Sequence, residues 1–267
     1  MNRDDFELLG DRHKAYESRV ETTLMQGCPI VVRLDGRAFH TFAHGLQRPY
    51  DIRLSQAMID TTKHLVTATN ANIGYCQSDE ISLAFINDIE KPFMFSGRVQ
   101  KIVSVLAAIA SVKFNNIISQ TIPEKAHMMP VFDARVWQYP SLDLACETFL
   151  WRETDATRNS LTMAAHSVYS HSELHKAGFK QKHDMLHAKG INWNDYPVFF
   201  KRGTYVGKRK VMKKLSEQEL MRIPEKFREP DKWFERSVVC DLGLPEYTKI
   251  DNIKQVFFYG EDPIGFL

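Results

Sequence analysis

Apolar residues in the first half of the chain change period several times, and each change marks an element. Residues 29–36, Pro-Ile-Val-Val-Arg-Leu-Asp-Gly, are a β-branched run closed by a turn pair, which predicts a buried strand ending at Asp35. Asp51 stands where it can cap a helix reaching about residue 69, with Leu54, Met58 and Leu65 at helical spacing on one side. Residues 73–76 and 81–85 read as strands, and the polar stretch Gln77-Ser78-Asp79-Glu80 between them has hairpin length, with Asp79 at the tip. From about residue 95 to 116, Ile102, Val105, Leu106, Ile109 and Val112 form the stripe of an amphipathic helix, with Arg98 and Lys101 near its start. Residues 131–139 alternate Asp133, Arg135 and Trp137 as a strand does.

The order strand, helix, hairpin, helix, strand predicts an α+β fold: a palm-like (ferredoxin-like βαββαβ) antiparallel sheet with helices on one face. After about Pro140 the pattern weakens into short helical pieces, His-rich segments and a basic stretch from Lys201 to Lys210. The expected division is a catalytic palm-like domain over residues 1–139 and a smaller, irregular C-terminal α/β region over 140–267 that contributes basic contacts to RNA or phosphate.

Composition narrows the class. Hydrophobic residues at 43% and charged residues at 25% are ordinary globular values, and no run reads as a membrane span. The N-terminus carries Asp4, Asp5 and Glu7 where a signal peptide needs basic and then apolar residues, so a cytoplasmic protein with no membrane partner is expected. Cys28, Cys76, Cys146 and Cys240 show no Cys-x-x-Cys spacing, which argues against a zinc ribbon, a redox pair and a disulfide framework, and free thiols are expected. The net charge of +2 does not announce a polyanion partner.

Candidate chemistry gathers at the two predicted strand ends. Two-metal nucleotidyl transfer needs carboxylates that can share a pair of Mg²⁺ ions about 3.5–4 Å apart. Asp35 at the end of the first strand and Asp79 at the hairpin tip converge on one sheet edge in this topology, and Glu80 offers a third acid. Gly36 lets the backbone approach closely, so its carbonyl can be a metal ligand and the amides from Arg37 through Ala38 and Phe39 to His40 can face phosphate oxygens. The bland alternative is a turn after a strand and a solvated hairpin tip.

Three runs carry a family resemblance: Arg33-Leu34-Asp35-Gly36-Arg37-Ala38-Phe39-His40, Gln77-Ser78-Asp79-Glu80-Ile81-Ser82 and Phe132-Asp133-Ala134-Arg135-Val136. They resemble the successive motifs of the tRNA-His guanylyltransferase family and its tRNA-repair relatives, which are 3′-to-5′ RNA polymerases. The resemblance is strong to about Tyr139 and looser to about Thr204. It implies that Asp35, Gly36 and Asp79 bind two Mg²⁺ ions, with catalysis by Asp35, Asp79 and Glu80. Arg37 to His40 with Ser78 would hold the nucleoside triphosphate, and Arg98, Lys101, Arg135, Asn159, Lys201 and Arg202 would meet phosphate or RNA. GTP and ATP are the implied substrates, the 5′ end of tRNA the implied partner, and a homo-tetramer the implied assembly. The implied reaction activates an RNA 5′-monophosphate by adenylyl or guanylyl transfer, after which the 3′-hydroxyl of an incoming nucleotide attacks.

One run departs from the pattern. Thr157 and Asn159 lie where members acting on tRNA-His carry His-x-Asn-Asn, with Thr157 at the His position. With Leu9-Gly10-Asp11-Arg12-His13-Lys14-Ala15-Tyr16-Glu17, this makes the chain similar to the bacterial and archaeal branch, which repairs 5′-truncated tRNAs by templated addition. His171 with His175, and His183 with His187, lie four apart, a spacing that puts both rings of a pair on one helix face. Neither pair has the His-Glu-x-x-His order of a zinc hydrolase; polar helix surface is the simplest reading, and a phosphate or RNA contact ranks ahead of a metal role. Competing functions are another palm-fold enzyme, such as a nucleotide cyclase or an ordinary-direction polymerase, and a non-catalytic RNA-binding module.

Overall fold

Residues 3–265 are described by the computed structural model, so the two expected regions begin and end just outside it. After α1 (Arg3–Ser18) come β1 (Ile30–Gly36), the short α2 (Phe39–Phe42) and α3 (Ile52–Thr69). Then follow β2 (Ile73–Gln77), β3 (Glu80–Phe85), α4 (Val99–Thr121) and β4 (Phe132–Gln138). All pair antiparallel in the order β4-β1-β3-β2, which is the predicted split βαββαβ arrangement. The predicted cap is present: the Asp51 carboxylate accepts from the Arg53 amide at 3.0 Å.

Strand alternation sorts side chains to two faces. Val32 and Leu34 of β1 and Ile81 and Leu83 of β3 pack against Met58 and Leu65 of α3 and Leu106 and Phe114 of α4. Val31, Tyr75 and Ala84 point the other way, toward a second core. α4 corrects one expectation, since by length and composition it is apolar enough to cross a membrane. Ile102, Leu106, Ala110, Phe114 and Ile118 nevertheless form its buried side against the sheet.

The second half holds longer elements than its pattern suggested: α5 (Leu142–His166), α6 (Phe179–Ala188), α7 (Val198–Arg202), β5 (Thr204–Lys214), α8 (Glu217–Met221), β6 (Trp233–Asp241) and α9 (Ile253–Tyr259). The basic stretch is strand β5, which pairs with β2 and β6 and widens the sheet to six strands in the order β4-β1-β3-β2-β5-β6. α5 is one 25-residue helix, and with α9 it covers the second face through Ala145, Phe149 and Phe257. Its helical period is hard to read because Thr148, Arg152, Glu153 and Ser160 lie on the buried side. Gly203 makes the passage from α7 into β5 at φ 78, where a Cβ would sit 2.6 Å from the Cys76 carbonyl oxygen.

Candidate active site

β1 ends beside the β2–β3 turn, and the main chain joins the two. The Gly36 amide donates to the Asp79 carbonyl at 3.0 Å. In the sheet register Asp35 stands opposite Glu80 on one side and Asp133 on the other. Leu34 goes into the α3/α4 core, so alternation turns Asp35, Glu80 and Asp133 together toward the α5 side.

A cavity of about 410 Å³ opens where these elements meet. Gly36, Ala38, Phe39 and His40 line it from the β1–α2 turn, Ser78 and Asp79 from the hairpin, and Asn159 from α5. Two of these residues hold left-handed backbone without being glycine, Ala38 at φ 56 and Ser78 at φ 49. Such conformations cost about 1–3 kcal/mol each and gather at ligand clamps. The amides of Ala38, Phe39 and His40 sit at the first turn of α2, where a helix offers them no acceptor of its own.

The charge at the site is uncompensated. Among the described residues, neither Asp35 nor Asp79 has a Lys or Arg within ion-pair distance. Burial pushes the Asp79 carboxyl above its ordinary value; the Ser78 hydroxyl pulls it back, and the Asp35 carboxylate pushes it up again. No group of three or more His, Cys, Asp or Glu side chains forms a ready metal cage among the described residues. Two carboxylates with a main-chain carbonyl suit Mg²⁺ all the same, because that ion commonly takes one or two carboxylates and fills its shell with substrate phosphate and water.

The structure gathers Gly36, Ala38, Phe39, His40, Ser78, Asp79 and Asn159 in the cavity wall, sets Asp35 next to Gly36 and Asp79 without lining the cavity, and treats the remaining candidates differently. Glu80 shares the Asp35 row but is buried against Arg152, 2.7 Å from its Nε, with Arg33 at 3.9 Å, and it lines no part of the cavity. Burial pushes its carboxyl up while Arg152 pulls it down. The Arg37 amide, expected to face phosphate, donates to the Val131 carbonyl at 2.9 Å, and the Arg37 side chain is exposed. The Phe39 ring belongs to the core, packed on Phe42, Phe114 and Phe132.

Arg98 and Lys101 begin α4 at the opposite end of the sheet. There the Val99 amide meets the Thr22 carbonyl at 2.8 Å, and Met25 meets Gln138 at the far end of β4. Within one chain they are therefore remote from Asp35. Arg135 faces the same side as Asp35, one pleat away and 3.9 Å from Asp133. Lys201 donates to the Asn194 carbonyl at 2.5 Å, and Arg202 lies 3.7 Å from Glu153, so both basic groups turn away from the cavity. His171 and His175 lie in turns after α5, not on a helix; His183 and His187 do share α6, where His183 packs on Phe179 and Trp193.

Sequence reasoning overlooked Tyr50, Phe199 and Phe200, which form an aromatic wall of the cavity, and Arg152, which holds Glu80. No local signal marks the three aromatics, because only the fold brings α7 against the loop before α3. Asp133 was visible in the strand alternation, but its place opposite Asp35 follows from sheet register alone.

An antiparallel palm-type sheet whose first strand end sets Asp35 beside Asp79 at a cavity fits a nucleotidyltransferase. The chain belongs to the tRNA(His) guanylyltransferase family. The family model described as tRNAHis guanylyltransferase matches residues 10–140. An uncharacterized protein of Acanthamoeba polyphaga mimivirus is 30% identical over 226 residues, 76% of this chain and 77% of its own. The tRNA(His) guanylyltransferase of Debaryomyces hansenii is 29% identical over 201 residues, 69% of this chain and 75% of its own. A solved bacterial tRNA(His) guanylyltransferase-like protein in complex with ATP has a TM-score of 0.71 at 37% identity, covering 75% of this chain and 87% of that one. A second such protein in complex with GTP has a TM-score of 0.68 at 30% identity, covering 90% of this chain and 94% of that one.

Proposed function

We propose that the protein adds nucleotides to the 5′ end of tRNA in the 3′-to-5′ direction, after activating the 5′-monophosphate with ATP or GTP. One observation carries this reading: the Gly36 amide on the Asp79 carbonyl at 3.0 Å brings the strand end that carries Asp35 beside Asp79, whose carboxylate lines the cavity and feels the Asp35 charge. The ATP and GTP held by the two bacterial relatives support the choice of nucleotides. Asp35, Asp79 and the Gly36 carbonyl would hold two Mg²⁺ ions, which when bound neutralise phosphate charge and activate the attacking hydroxyl.

The chain's own groups do the positioning. The free amides of Ala38, Phe39 and His40 and the Ser78 hydroxyl orient the triphosphate, and Asn159 meets it from α5. Tyr50, Phe199 and Phe200 keep water from one side of the cavity and offer a surface to the base. The protein needs no covalent nucleophile, because position and charge neutralisation are sufficient for phosphoryl displacement.

Templated repair of 5′-truncated tRNA is the favoured form of this activity, with tRNA(His) guanylylation as the alternative. Thr157 supports the preference, since its hydroxyl donates to the Glu153 carbonyl at 2.9 Å and it has no imidazole to offer an RNA. The test incubates the protein with tRNA lacking its first nucleotide and labelled at its 5′-monophosphate, with Mg²⁺, ATP and each nucleoside triphosphate. The expected product is longer at the 5′ end, with its label protected from phosphatase. No extension with any nucleotide removes the function, and equal rates on truncated and full-length tRNA remove the repair preference.

A further inference from the structure

Beside the candidate active site lies a second cavity of about 620 Å³ that the reaction above does not use. His40, Ala43, Tyr50, Asp51, Leu54 and Met163 line both cavities, so the two are continuous along the segment joining β1 to α3. Beyond the shared wall one guanidinium and three imidazoles face the second cavity. His44 and Arg48 reach it from that segment, His166 from the last turn of α5, and His171 from the turns that follow.

Acids do not offset these groups. Asp51 is the single acidic residue in the lining, and its carboxylate is taken up by the Arg53 amide at 3.0 Å and the Arg53 guanidinium at 3.1 and 2.8 Å. Glu173, close to His171 in the chain, is held by the Ser170 amide at 2.8 Å and the Ser170 hydroxyl at 2.6 Å. A metal is a poor occupant, since the one carboxylate in the lining, Asp51, is already bound to the Arg53 guanidinium. An anion is a good one.

The His166 and His171 rings lie 5.7 Å apart, centroid to centroid, and no ion pair to either is found among the described residues. Burial pushes the His166 imidazole below its ordinary value, and the charges of His171, Lys182 and Arg48 act in the same direction. A negatively charged group between these side chains would reverse that repulsion and draw protons onto the rings.

From the joined walls, the imidazoles and Arg48 we infer that the second cavity is an annex of the nucleotide site that receives phosphate groups. Two sources fit this chemistry: phosphates of the RNA strand running from its 5′ end, and the pyrophosphate released on activation. The inference rests on the first cavity being the nucleotide site.

The test titrates the full-length protein separately with 5′-monophosphorylated RNA and with inorganic pyrophosphate, at pH 6 and pH 8. Variants are His171→Gln, which changes an exposed side chain, and His166→Gln/His171→Gln. The probe that occupies the annex binds the wild type about tenfold tighter at pH 6 than at pH 8, and the variants reduce that ratio to under about twofold. A response with RNA alone identifies the strand, and one with pyrophosphate alone identifies the leaving group. If the variants leave the pH ratio of both probes unchanged, the annex is overturned. GTP binding measured in the same samples separates the two readings: wild type that binds no GTP sinks the nucleotide site, whereas GTP binding lost only in His171→Gln sinks the annex as a separate subsite.

Discussion

The Nε of Arg152 donates to Oε1 of Glu80 at 2.7 Å, and both residues are buried between α5 and the β2–β3 hairpin. Arg152 also reaches Asp155 on its own helix at 2.8 Å, and through its bond to Glu80 it ties the second half of the chain to the strand that follows Asp79. Removing Arg152 alone would leave the Glu80 charge buried without its main partner. Arg152→Ala is expected to cost about 3–5 kcal/mol in chemical denaturation. Adding Glu80→Gln to that variant should return part of the loss, because the stranded charge is gone.

Asp79 is a buried carboxylate whose charge is disfavoured both by burial and by Asp35. Asp79→Asn should therefore abolish nucleotidyl transfer and raise the stability of metal-free protein by roughly 0.5–1 kcal/mol. Single-turnover transfer and thermal melting in the presence of a chelator check the two effects. A variant that turns over normally would remove Asp79 from the site.

A Cβ on Gly36 would lie 2.4 Å from the Phe39 ring. That ring cannot retreat, because Phe42, Phe114 and Phe132 surround it with centroids at 5.4, 5.3 and 5.2 Å. Gly36→Ala is expected to cost about 1–3 kcal/mol by overpacking and to displace Asp35 from Asp79. A denaturation midpoint equal to wild type would show that the core yields at this point.

Glu153 is buried, accepting from the Tyr205 hydroxyl at 2.9 Å and the Tyr247 amide at 3.1 Å, and burial pushes its carboxyl above the ordinary glutamate value. The folded chain thus keeps this proton at a pH where the unfolded chain has lost it. The resulting stability is fully present below the unfolded value and is lost as pH rises through the folded one. Between pH 5 and 8 the urea midpoint of wild type should fall more than that of Glu153→Gln, which keeps an acceptor for Tyr205. Parallel slopes for the two proteins would count against it.

Local pattern along the chain was sufficient for β1, α3, the β2–β3 hairpin, α4 and β4, because each has an apolar face of clear period and a nearby signal such as the Asp51 cap or the Asp35-Gly36 turn. Their order then brought Asp35 to Asp79, since a split βαββαβ sheet places those strand ends side by side. α5 escaped this reading because its inner side carries Arg152 and Glu153, whose partners Glu80 and Tyr205 stand 72 and 52 residues away in the chain.

Residue types and their spacing settled which groups were available for chemistry. Folded contacts decided how each is used: Asp79 left without a Lys or Arg among the described residues, Glu80 bound to Arg152, the Arg37 amide to Val131, Lys201 to Asn194, and Arg98 at the start of α4, remote from Asp35. The division has a physical cause. Periodicity and capping act over a few neighbouring residues and can be read along the chain, whereas burial and charge pairing depend on groups that only folding brings together.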